Sequence, residues 1–187
     1  AAFYYDSYPR ASLIEHILPL DAAMDDFQSG RQPAPGKWAN SPYEVNVAPR
    51  GRELVVTLKR DGESWDKTPL RVEKQLVVGF SEADLGGLEV TYTLTNTGAG
   101  RAVGLFGSEW NVNLLGGGHN PEAYYRLPGD RYDYLDSAGQ EKSVSKIYLG
   151  NRYLNIELGL TCAPPASLWR FPIETVSNSE SGLEKSY

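Results

Sequence analysis

Three alternating runs constrain this chain more than anything else in it: Glu53–Lys59 (ELVVTLK), Leu70–Phe80 (LRVEKQLVVGF) and Leu88–Thr95 (LEVTYTLT). Side chains on a strand point alternately to its two faces, and these runs are rich in the β-branched and aromatic residues that pack on a pleated surface. Turn chemistry bounds them: Asp61-Gly62 after the first, the Asp84–Gly87 corner after the second, Asn96–Gly100 (NTGAG) after the third. Tyr43–Val47 alternates ahead of them, and Arg131–Tyr134, Lys142–Leu149, Tyr153–Leu160 and Ser167–Phe171 follow. Turns recur about every 10 to 15 residues, the rhythm of an antiparallel sandwich or barrel. Long strands favour two large packed sheets. The expected class is therefore all-β, a large antiparallel β-sandwich with little helix.

The stretch Arg101–Gly118 (RAVGLFGSEWNVNLLGGG) is among the most apolar segments and is bounded by glycines. Interrupted by Gly and Asn, it reads as a long central strand and not as a helix. Glu109 sits inside it. A carboxylate there is costly unless paired or hydrogen-bonded, so the fold must supply a partner. Strand alternation puts Glu109 and Asn111 on one face and Trp110 on the other.

Residues 1–37 differ in character and read as an irregular entry segment to a single domain spanning 1–187, with the sandwich strands in 38–187. Leu13, Ile14, Ile17 and Leu18 have partly helical spacing in a short run closed by Pro19, and Asp21–Phe27 is compatible with one more helical turn. Ser29–Pro35 reads as a loop. The chain opens without Met and ends with no closing strand, and is expected to be a piece of a larger enzyme.

The length of 187 residues suits one large all-β domain. A formal charge of −6 leaves no basic patch for phosphates, so no nucleic-acid partner is expected. No run is long enough for a membrane helix and no signal segment opens the chain, so no membrane partner is expected either. Cys162 is the single cysteine, which excludes an internal disulfide, fits a cytoplasmic setting, and suggests a buried structural thiol. With 2 His and 1 Cys, zinc ligation is nearly excluded. No metal and no cofactor is expected.

Candidate chemistry is sparse. Glu109 with Asn111 can present a carboxylate and an amide to a sugar hydroxyl or a metal, or form a satisfied buried cluster. His16 and His119 lack a nucleophile motif and read as a structural histidine and a loop residue. The Gly116–Gly118 triplet is no phosphate loop, since no Gly-Lys-Ser/Thr follows. Asp130–Asp136 (DRYDYLD) lacks the spacing of a calcium loop and reads as a solvated face. Trp38, Trp65, Trp110 and Trp169 read mainly as core, with one expected to be exposed.

Three segments carry a family resemblance. Arg10-Ala11-Ser12-Leu13-Ile14-Glu15-His16 resembles the "R-x-S-L-I-D-H-F" entry segment of the C-terminal domain of glycoside hydrolase family 57, the α-amylase and 4-α-glucanotransferase family. Phe106-Gly107-Ser108-Glu109-Trp110-Asn111 is similar to its "F-x-x-E-x-N" strand, and Trp169–Glu184 to "W-x-F-P-I-x-T-V-S-x-S-E-x-G-F-E". Glu15 stands where the family often has Asp, and Leu183 where it often has Phe. The family pattern usually continues with further strands past the position of Tyr187.

The resemblance implies a galactose mutarotase-like β-sandwich without catalytic residues of its own. The nucleophile and acid/base of the parent reaction on α-glucosidic bonds would lie in a preceding barrel domain. Partners would be that catalytic barrel and, by contact, an α-glucan oligosaccharide. By position, Arg10, Ser12 and His16 would sit near the join with the barrel. Glu109 and Asn111 would be polar groups on a concave sheet, while Glu174 and Glu180 would organise the last loop. Two rival readings are a stand-alone carbohydrate-binding module with exposed aromatics, and a mutarotase-like epimerase using His16 or His119 with a glutamate.

Overall fold

The computed structural model describes residues 8–31, 38–39, 41–81, 84–179 and 182–186. It is built almost wholly of antiparallel strands, as expected. The chain divides into two compact units, residues 1–111 and 112–187.

In the first unit, β2 (Glu44–Arg50), β3 (Glu53–Glu63), β4 (Pro69–Ser81) and β5 (Asp84–Asn96) form a four-stranded meander in chain order. Alternation divides it into two faces. Leu54, Val56, Leu58 and Arg60 of β3 pair with Val78, Leu76, Lys74 and Val72 of β4, so all eight share one face. The other face carries Thr57, Lys59, Asp61, Glu73, Gln75, Thr91 and Thr93, and is solvated.

A second, two-stranded sheet pairs β1 (Ile14–Leu18) with β6 (Leu105–Glu109), Ile14 opposite Glu109 and Leu18 opposite Leu105. Ile17 of β1 joins Trp38, Leu70 and Val72 in a core against which Tyr92 packs. Gly62 makes room for Trp38, because a Cβ there would meet the indole at 2.5 Å. After β1 comes a single helical turn, α1 (Met24–Gln28), with Met24 buried.

In the second unit, β7 (Ala123–Leu127), β8 (Arg131–Tyr134), β9 (Gly139–Asn151) and β10 (Ile156–Arg170) form a sheet in the order β10-β9-β7-β8. Its inner face carries Ala123, Tyr125, Leu127, Ile147 and Leu149, packed with Leu114, Leu135 and Val144. A hairpin of β11 (Thr175–Ser179) and β12 (Gly182–Ser186) follows.

Several elements differ from their expected form. Ile14–Leu18 of the Leu13–Leu18 run is strand β1, since its pairing with β6 overrides a weak helical spacing. The long central strand shrinks to the five residues of β6. The chain runs through Asp61-Gly62 inside β3, where Asp61 pairs with Arg71 of β4 through a two-pronged contact of 2.8 and 3.0 Å; the turn comes at Ser64–Thr68 instead. Asp84–Gly87 belongs to β5. The two late runs are one strand, β10, whose register slips between Thr161 and Leu168, where Pro164 and Pro165 have no N–H for the ladder. Cys162 is exposed on that strand, not buried, its thiol donating to the Val144 carbonyl at 3.1 Å.

Val72 is the fully buried centre of the first unit's core. Val72→Ala is expected to cost about 2 kcal/mol in urea unfolding, the transfer and cavity loss of two methyl groups.

Candidate functional site

Strand β1 delivers two consecutive polar side chains to opposite faces, Glu15 toward the four-stranded sheet and His16 away from it. Each anchors its own cluster.

On the His16 side the acceptor is Glu109, at the end of β6. Its Oε2 accepts from the Tyr8 hydroxyl at 2.7 Å and meets His16 Nε2 at 2.8 Å. Its Oε1 accepts from Arg10 Nη1 at 3.2 Å and from Asn111 Nδ2 at 3.1 Å. Ser12 locks the neighbouring backbone: its Oγ donates to the Asn111 carbonyl at 2.7 Å and accepts from the Asn111 N–H at 2.9 Å. Asn111 Nδ2 also donates to the Ala11 carbonyl at 2.9 Å. Phe27 of α1 stacks edge-on against the His16 ring.

Burial pushes the Glu109 carboxyl up, but the bonds from His16 and Tyr8, the Arg10 charge and the Asn111 amide outweigh it and hold it at about 2. The ionised carboxylate only accepts, so His16 must present Nε2–H to it. The cost of a buried carboxylate is thus met locally by four donors.

On the Glu15 side everything is deeper. Glu15 is 0% exposed, and Arg60 and Lys74, from the apolar phase of β3 and β4, close on it. Arg60 Nη2 stands 3.1 Å from Glu15 Oε2, and Lys74 Nζ makes an ion contact of 2.8 Å, without a hydrogen bond, with Oε1. The Tyr43 hydroxyl donates to Oε2 as well. Burial first, then Glu15, raises the Tyr43 phenol, which keeps it a neutral donor.

Two cations face one carboxylate here. The surplus positive charge is answered by dipoles and rings. Lys74 Nζ donates to the Leu13 carbonyl at 2.6 Å, Arg60 Nη1 donates to the Ser41 carbonyl at 2.9 Å, and the guanidinium lies over the Tyr43 ring at 4.3 Å and the Trp38 ring at 5.1 Å. Leu13 adopts a left-handed φ of 66°, pinned by its N–H on the Glu109 carbonyl at 2.7 Å and by Lys74 on its own carbonyl. One residue thereby joins the two clusters.

Of the expected site residues, Arg10, Ser12, His16, Glu109 and Asn111 come together in one cluster. They form a closed knot and not a presented pair on a concave sheet, because Glu109 terminates a two-stranded sheet and faces its own donors. Glu174 lies exposed in the second unit, between β10 and β11, and Glu180 falls outside the described residues. His16 bonds the Glu109 carboxylate. His119 sits in a loop with a left-handed φ of 59°, its ring 3.7 Å from that of Tyr134.

Asp133, within DRYDYLD, pairs with the buried Arg170 at 2.6 Å. Among the described residues no three His, Cys, Asp or Glu side chains stand together as a metal site would require. Of the four tryptophans, Trp38 is buried and Trp110 is 37% exposed. Sequence reading missed Tyr8, Tyr43, Arg60 and Lys74. A signal for the last two existed: each interrupts an apolar alternation in phase, Leu54-Val56-Leu58-Arg60 and Leu70-Val72-Lys74-Leu76.

Known proteins match this chain over nearly its full length. The family model described as alpha-amylase/4-alpha-glucanotransferase, C-terminal, matches residues 1–187. Alpha-amylase 1 of Dictyoglomus thermophilum is 33% identical over 98% of this chain and 25% of its own. The 4-alpha-glucanotransferase of Thermococcus kodakarensis is 30% identical over 96% of this chain and 23% of its own. The chain thus spans about a quarter of the relatives it matches. The crystal structure of 4-alpha-glucanotransferase from Thermococcus litoralis superposes with a TM-score of 0.69 at 20% identity, covering 98% of this chain and 24% of that one, a likeness of fold.

The Glu109 knot makes stability depend on acid. A carboxyl lowered from 4.5 to about 2 stabilises the fold above its unfolded value, by about 3 kcal/mol at neutral pH. That contribution fades as pH falls from about 5 toward 2. Urea titrations at pH 7 and pH 3 are expected to show the loss in the wild type, and Glu109→Gln to be weaker at pH 7 with a flatter pH profile.

Proposed function

Because the chain belongs to the C-terminal domain family of α-amylases and 4-α-glucanotransferases, we propose that it serves as the non-catalytic C-terminal part of an enzyme acting on α-glucosidic bonds. Its work in this reading is to pack on the catalytic part of that enzyme. The observation that carries the reading is the saturation of Glu109. Retaining chemistry on a glycosidic bond needs one carboxylate free to attack and a second able to carry a proton, about 5 Å apart. Glu109 is ionised and covered by Tyr8, Arg10, His16 and Asn111, and Glu15 is sealed beneath β1. Neither has a face for a sugar.

The same burial argues against an epimerase built on His16, whose Nε2 is already committed to Glu109. For packing on a catalytic part, the supporting feature is the apolar face of the four-stranded sheet. At one end Leu70 and Val72 are buried. At the other, the rows Val47–Val56–Leu76–Val90 and Pro49–Leu54–Val78–Leu88 continue the apolar face, with Val47 55% and Leu54 43% exposed. An exposed apolar extension of a core face fits burial against another part of the same protein.

A cytoplasmic setting belongs to the same reading and rests on a sequence with a single cysteine. Among the described residues no helix is long and apolar enough to cross a membrane.

The direct test is incubation of the 187-residue chain with maltoheptaose, followed by chromatography of the glucans. Unchanged maltoheptaose is the expected result. Shorter or longer glucans that disappear in Glu109→Gln would overturn the reading.

A further inference from the structure

The two sheets differ in what their solvent faces carry. On the β2–β5 sheet the outward side chains are mostly Thr, Lys, Glu and Gln, with the Asp61–Arg71 pair and with Val55 opposite Val77 among them. The outward face of the β10-β9-β7-β8 sheet is different. One row across it reads Tyr134, Tyr124, Gly150, Glu157, and the next reads Tyr132, Arg126, Tyr148, Gly159. Four tyrosines on one solvated face need an explanation.

The two glycines decide how the rings lie. A Cβ on Gly150 would come within 2.4 Å of Tyr124, and one on Gly159 within 3.2 Å of Tyr148. Each ring therefore lies across the next strand instead of standing up from its own. Planar polar groups fill in around them. The Arg126 guanidinium lies 3.7 Å over Tyr148 and bonds Glu157 Oε1 at 2.7 Å, while the Tyr124 hydroxyl donates to Glu157 Oε2 at 2.9 Å. Arg152 lies 4.6 Å over Tyr124 and 5.8 Å from the Tyr132 ring centre. Tyr132 remains 54% exposed.

We propose that this face is a binding platform for a neutral oligosaccharide, an α-linked glucan, with the exposed Tyr132 ring as the stacking surface and Arg152 and Glu157 as the hydroxyl partners. Pyranose rings present C–H faces to aromatic rings and hydroxyls to planar donors and acceptors, the mixture this face offers. Arg126 is balanced by Glu157 and Asp130, at 2.7 and 3.6 Å, and the face's other two cations lie over its rings, Lys146 4.7 Å over Tyr148 and Arg152 4.6 Å over Tyr124. The choice of an α-glucan rests on the function proposed above; the platform itself rests on the sheet.

Isothermal titration of the 187-residue chain with maltoheptaose tests the proposal, circular dichroism melts confirming that each variant is folded. Saturable heat is expected, weakened about tenfold by Tyr132→Ala, the 1.4 kcal/mol scale of one exposed aromatic contact. Arg152→Ala is expected to weaken it severalfold, and Trp110→Ala, on the other unit, to leave it unchanged. A folded chain silent at millimolar maltoheptaose overturns the platform, as does binding that survives Tyr132→Ala or is lost with Trp110→Ala. None of these outcomes alters the turnover result, so the platform and the non-catalytic role fail separately.

Discussion

The first unit depends on a carboxylate that cannot reach water. Glu15 is sealed between β1 and the four-stranded sheet, and among the described residues Arg60, Lys74 and the Tyr43 hydroxyl make that position tolerable. Replacing a whole buried ion pair by apolar groups can be neutral, whereas removing one partner strands the others in a low dielectric. With two cations on one carboxylate, the asymmetry is sharper here. Loss of Glu15 leaves both Arg60 and Lys74 buried, with carbonyls, aromatic faces and the Tyr43 hydroxyl to answer them among the described residues. The cluster therefore fixes where β1 lies on the sheet. A one-residue slip would carry Glu15 to the opposite face and bring His16 against the two cations.

His16 and Glu109 depend on that placement. Once Glu15 faces the sheet, strand alternation sends His16 the other way, and the β1–β6 register brings Glu109 to the same face. Leu13 couples the two arrays, its N–H on the Glu109 backbone and its carbonyl on Lys74. What resembles a candidate active site, a histidine, an arginine and a glutamate in contact, is by this geometry a clamp at the entry of the chain into its first unit. Under the roles proposed above, function lies in surfaces: the exposed apolar end of the β2–β5 sheet and the tyrosine face of the second unit.

Strand content was legible because β3, β4 and β5 alternate over long stretches, and every alternating run became a strand or part of one. Where local signals were weak, tertiary pairing won. Leu13–Leu18 has helical spacing in part but its Ile14–Leu18 stretch becomes β1 by pairing with β6, and Arg101–Gly118 is too rich in Gly and Asn to hold more than five paired residues. The Asp61-Gly62 turn signal lost to a cross-strand ion pair with Arg71 and to the room Gly62 makes for Trp38. The demand that something answer Glu109 was readable from one residue. Asn111 was readable as a partner from strand alternation, but Tyr8, Arg10 and His16 lie about a hundred positions away and only the β1–β6 register brings them near. Arg60 and Lys74 were readable in principle, as charges in the apolar phase of a strand.

If the Glu15 cluster holds β1 on the sheet, urea unfolding of Glu15→Gln, with hydrogen exchange on the same variant, will show it. A loss of about 3 to 5 kcal/mol is expected. Exchange protection at the Ile14–Leu18 amides should fall before that of β3 and β4. A loss below about 1 kcal/mol, the scale of an exposed ion pair, with β1 protection intact would contradict it.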